Sequence, residues 1–164
     1  MAVMTERATA RPPYQAYAAI MGVFVGGLGI AGAAARALDR DPACQTGLDL
    51  VVLSAASFKA ARTLASDEVT SFLREPFVQG DAHAGDEEPL ESGDFRQAIG
   101  ELVTCSRCGG TWAAAALAVS QILSPRFGRL LTWSLAAAGV NDWLQAGFAA
   151  LSQKANELEE RSVR

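Results

Sequence analysis

The sequence predicts an all-α integral membrane helical bundle of three to four transmembrane helices with a flexible acidic cytoplasmic loop. Three observations lead there. Half of the 164 residues are apolar and only a fifth are charged, so mean hydropathy is positive, which is unusual for a water-soluble domain of this size. Alanine and glycine are abundant while aromatic residues are few, a composition that suits helices packing closely in lipid. Several uncharged runs also approach the roughly 20 residues that cross a bilayer.

After a short cytoplasmic tail, residues 1–13, the first span is expected at 14–36. The stretch from Pro12 to Ala35 carries no charge and is longer than the apolar core of a signal peptide, so a retained helix is favoured over a cleaved one. Tyr14 and Tyr17 stand where interfacial aromatics are expected. Ala18, Gly22 and Gly26 recur every fourth residue, a smooth stripe where another helix could approach.

The second element, 47–66, holds Asp49, Lys59 and Arg62. It reads either as a marginal span or as an amphipathic helix at the interface. Residues 67–108 form a cytoplasmic loop. Pro76 ends any helix there, and the Gly/Pro-punctuated acidic stretch that follows reads as flexible. Arg74 and Phe77 read as an interfacial anchor. Asp94 is a good N-cap for a short helix over 94–104. Gly109 and Gly110 are expected to break the pattern. A third span is placed at 109–124, a tight turn at Pro125, Arg126 and Arg129, a fourth span at 130–151, and a cytoplasmic tail at 152–164.

Lysine and arginine placement fits four crossings with both termini in the cytoplasm. Asp142 and Lys59 then lie at matching depth, roughly 18–20 Å from the outer ends of their helices. A lone charge at that depth needs a partner, so Asp142 is expected to pair with Lys59, or with Arg62 one turn on. Such a pair fixes helix register or forms part of an ion path.

Cys105 and Cys108 form a Cys-x-x-Cys pair with three readings. A structural zinc site needs four ligands. Cys44 falls on the other membrane face and His83 is the only histidine, so zinc, the one cofactor candidate, would need Glu101 or a second subunit. A redox pair needs an activated thiolate. Arg107 helps, but the cysteines follow a helix and face its negative end. In the third reading they are packing groups in a corner, with Trp112 as interfacial anchor. Three cysteines suit a reducing compartment. The net charge of −4 argues against nucleic acid as a partner, and no phosphate-binding glycine loop or hydrolase elbow occurs.

Three stretches carry a resemblance: FKAARTLASDEVTSFLREPF, RQAIGELVTCSRCGGTWAAAALA and the final VNDWLQAGFAAL. Over roughly Leu48 to Leu151 they resemble domain-of-unknown-function family thirteen-sixty, small bacterial membrane proteins without an assigned activity, some labelled sporulation-related. Where the family often has Pro and an aromatic after the first cysteine, this chain has Ser106 and Arg107. The resemblance implies a bacterial source and a multi-pass location in the cell membrane, and supplies no catalytic residues. The leading expectation is a structural or interaction role in the membrane, with the bilayer and a homo-oligomer or membrane-protein partner. The alternative is a Cys-x-x-Cys-dependent thiol-redox or metal-binding membrane enzyme or sensor. A transporter would need several copies to enclose a path.

Overall fold

The structure, a computed structural model, describes residues 12–40, 45–82 and 84–162. The N-terminal tail with Arg7 and Arg11, together with Cys44, His83 and Arg164, lies outside the described residues. The described chain is all-α apart from one short hairpin. Helix α1 is Tyr14–Ala37, α2 is Gly47–Ser66, α3 is Ser71–Arg74, α4 is Phe95–Thr104, α5 is Ser106–Leu123 and α6 is Pro125–Ser162. Strands β1 (Val78–Gln79) and β2 (Glu88–Pro89) pair antiparallel, with Val78 opposite Pro89.

Local chemistry explains the starts of α2, α4 and α6. Asp49 closes a capping box on α2. The Thr46 N–H donates to Asp49 Oδ2 at 2.9 Å, and the Asp49 N–H donates to Thr46 Oγ1 at 3.3 Å, satisfying two amides that a helix leaves free. Asp94 caps α4 by accepting from the Arg96 N–H at 2.8 Å. Pro125 opens α6, where its missing N–H is no loss.

The core lies where α2, α5 and α6 meet. Ala56, Leu117 and Ala136 are buried there, flanked by Val52, Leu53, Leu131 and Leu135. Small residues set the spacing. A Cβ added to Gly139 on α6 would lie 3.1 Å from the Ala55 carbonyl oxygen of α2. At the α5–α6 corner, a Cβ on Gly128 would lie 2.4 Å from the Gln121 nitrogen. There the Gln121 amide donates to Thr132 Oγ1 at 2.8 Å, and that hydroxyl donates to the Gly128 carbonyl at 2.7 Å. Helix α1 lies on the outside and buries only Ala16 and Ala35.

Four expectations change. No break occurs at Gly109 and Gly110: both lie inside α5, which begins at Ser106. The turn expected at 125–129 is the first turn of α6, and that helix continues unbroken to Ser162. At 38 residues it extends about 57 Å, so the region 130–151 and the charged tail are one rod. Arg74 is not an interfacial anchor; it is 1% exposed. Nor is the acidic loop a loose tether, because it forms the β hairpin and holds Glu87 against that arginine.

The number of crossings is also coarser than expected. Among the described residues, α1 is the one helix long and apolar enough to cross a membrane by itself. Helices α4 and α5 reach that standard together, with an 84° bend between them.

Candidate functional site: the Cys105–Cys108 corner and its surroundings

The bend is made at one residue. Thr104 ends α4, and Cys105 takes an extended conformation, φ −91° and ψ 100°, that stops the helical ladder and redirects the chain. Cys105 then serves as the N-cap of α5. Its Sγ accepts the Cys108 N–H at 3.3 Å, and its carbonyl accepts the Gly109 N–H at 2.9 Å. The expectation that both cysteines face only the negative end of a helix is therefore corrected. The sulfur of Cys105 sits at the positive end of α5, where N–H groups point outward.

Both cysteines are free thiols; Cys105 is half-buried and Cys108 exposed. The hydrogen bond from the Cys108 thiol, followed by backbone N–H bonds, holds the Cys105 thiol below its ordinary pKa, with Arg107 adding a smaller attraction. The hydrogen bonds at the start of α5 thus favour negative charge on the Cys105 sulfur.

Beside it lies a cavity of about 380 Å³ between α1, α4 and α5, walled by Met21, Phe24, Leu102, Cys108 and Trp112. Trp112 packs edge-on against Phe24 of α1, with ring centroids 5.0 Å apart. Glu101 faces this wall. Its carboxylate accepts from the Tyr17 hydroxyl and, at 2.9 Å, from the Gln97 amide. Each of its oxygens already accepts one hydrogen bond. Among the described residues no group of three or more His, Cys, Asp or Glu side chains is arranged to hold a metal. Zinc would find two ligands here, half of a tetrahedral set.

The second constellation joins α2 and α6. Lys59 Nζ donates to Asp142 Oδ2 at 2.8 Å. It also lies 3.8 Å from Asp67, the residue that ends α2, so the flexible lysine stem carries its amine toward the helix end rather than leaving it isolated at mid-depth. Arg62 stays exposed. About three turns earlier on both helices, Arg129 stands 3.7 Å from Asp49. The two pairs show α2 and α6 running in the same direction.

Gly22 and Gly26, the expected packing stripe, stand on an open face of α1. A Cβ built at either meets nothing within 4 Å among the described residues, so no described helix covers that face. The largest side chain in the interior is one that sequence reasoning placed at the surface. Arg74 donates from Nη1 to the Leu64 carbonyl at 2.7 Å, the Asp67 carbonyl at 3.1 Å and Thr70 Oγ1 at 2.9 Å. Its Nε and Nη2 both reach Glu87 Oε2, at 2.8 and 2.6 Å. The only signal in the sequence was an arginine in a short segment followed by a run of acids.

Comparison with known proteins yields relatives of the same kind. Sporulation protein YjcA of Bacillus subtilis (strain 168) is 34% identical over 118 residues, covering 60% of this chain and 96% of the relative. UPF0713 protein YngL of the same organism is 28% identical over 104 residues, covering 60% of this chain and 76% of the relative. No solved structure matches. The family model described as "Protein of unknown function (DUF1360)" matches residues 52–148, which include Lys59, Asp142 and the cysteine corner. The chain belongs to that family.

Proposed function

We propose that the protein is a multi-pass component of the bacterial cell membrane with a structural or interaction role, in which α1, α2, α5 and α6 cross the bilayer. The observation that carries this reading is an inverted distribution of side chains. Val23, Val25 and Ile30 on α1, Leu48, Leu50 and Val51 on α2, and Leu144, Phe148 and Leu151 on α6 are all exposed, while the buried apolar residues are alanines apart from Leu117. Water disfavours so large an apolar exterior. In lipid it costs nothing, and small residues inside let helices approach.

Neither α2 nor α6 is long and apolar enough to qualify as a span by itself, yet Lys59 of α2 and Asp142 of α6 are paired with each other. Lys59 with Asp142 enters the bilayer as a joined unit rather than as two isolated ions. The uncovered Gly22–Gly26 face of α1 supports contact with a second helix, from another copy or from a membrane partner. With both termini in the cytoplasm, the Cys105–Cys108 corner lies at the cytoplasmic surface.

The test is alkaline extraction of membranes followed by labelling of single cysteines from each side. The protein is expected to stay with the membrane, with probes at Gly80 and at the end of α6 labelled from the cytoplasmic side. A monodisperse folded species in a detergent-free supernatant would overturn the reading.

A further inference from the structure

We propose that Cys105 and Cys108 form a thiol–disulfide couple, with Cys105 the attacking sulfur, Cys108 the resolving sulfur, and a disulfide compound as oxidant. Four observations converge. The two residues are three apart at the start of α5, and the Cys108 thiol hydrogen-bonds to the Cys105 sulfur, so the two sulfurs are already neighbours. Closing a disulfide from there needs only a small approach. Cys105 occupies the N-cap, where the helix favours a negative sulfur. The Cys108 amide already bonds that sulfur at 3.3 Å. Cys108 is exposed and borders the 380 Å³ cavity, which leaves room for a reacting partner.

The step balances. The Cys105 thiolate attacks one sulfur of the oxidant disulfide, forming a mixed disulfide and expelling the other half as a thiolate. Cys108 then gives up its proton and attacks Cys105 Sγ. The Cys105–Cys108 bond forms and the second half leaves as a thiol once protonated. Two electrons and two protons pass from the pair to the oxidant, and a dithiol reductant reverses the sequence. This chemistry is independent of how many helices cross the bilayer. A packing role for the cysteines would not require the two sulfurs to differ in reactivity, whereas a couple does.

The experiment uses the full chain in detergent, in a Cys44→Ser background so that only the pair reports. Glutathione disulfide is the oxidant and dithiothreitol the reductant. Oxidation should remove both free thiols with loss of two hydrogens in mass, and dithiothreitol should restore them. Cys108→Ser should trap one glutathione per chain on Cys105, while Cys105→Ser should react several-fold more slowly. Because the Cys105 sulfur accepts the Cys108 N–H at the start of α5 and its pKa is lowered, alkylation of Cys105 should reach its plateau at lower pH than alkylation of Cys108. Equal alkylation profiles for the two sulfurs, or no reversible intramolecular disulfide, would overturn the proposal. So would zinc that co-purifies, blocks thiol titration and is lost on Cys105→Ser.

Discussion

Replacing Glu87 with alanine should destabilise the protein by about 3 kcal/mol. The magnitude follows from what the carboxylate does. Arg74 is 1% exposed and directs two guanidinium nitrogens at Glu87 Oε2, at 2.8 and 2.6 Å. A hydrogen bond to a charged group contributes about 1.5–3 kcal/mol, and stripping one partner from a buried pair costs about 3–5 kcal/mol. The lower end applies here because Nη1 keeps its three acceptors on Leu64, Asp67 and Thr70. Arg74→Met should be worse, about 5 kcal/mol, since it leaves the Glu87 carboxylate unpaired and also takes a donor from the Leu64 carbonyl. The double variant Arg74→Met with Glu87→Leu should fall well short of the sum, because no buried charge is left alone. Unfolding in mixed micelles measures all three, and protease cutting between Gly80 and Asp86 reports release of the hairpin. The pair is buried, so salt should change the Glu87→Ala effect little. If Glu87→Ala lies within about 0.5 kcal/mol of the parent protein, Arg74 does not tie the loop to α2, and the reasoning fails.

Three further outcomes are expected. Lys59→Met and Asp142→Asn should each cost about 1–2 kcal/mol, with the double variant better tolerated than their sum; strict additivity in the same unfolding assay would mean that the 2.8 Å contact carries no coupling. Gly128→Ala should cost about 3 kcal/mol or more. Its Cβ would lie 2.4 Å from the Gln121 backbone, which cannot swing aside as a side chain can, and a normal melting temperature would refute the tightness of that corner. Gly26→Leu should leave stability within about 0.5 kcal/mol, since its side chain enters open space. If α1 meets a second copy through that face, the same substitution should abolish cross-linked dimers, and unchanged cross-linking would place the contact elsewhere.

The parts of the molecule legible in the sequence are those governed by neighbours along the chain. Asp94 as a cap, Pro125 as a helix opener and the long apolar run of α1 each depend on a few adjacent residues, so pattern reading finds them. Lys59 and Asp142 could be matched because isolated charges in apolar helices are few. The misplaced break at Gly109 and Gly110 has a local cause too. Glycine weakens a helix by only about 1 kcal/mol, and packing of α5 against α2, with Ala61 beside both glycines, outweighs it.

The chain by itself determined the helical class, the family likeness and the greasy character of the surface, because each depends on which side chains occur and how they recur. Tertiary structure alone decided that Arg74 is buried, that Cys105 caps the next helix rather than trailing the last, and that the Gly22–Gly26 face is open. Each of those depends on where distant segments come to rest. The difference between a solvated arginine and a buried one is made by Glu87 and three acceptors from Leu64 to Thr70, brought together only when the loop folds back onto α2.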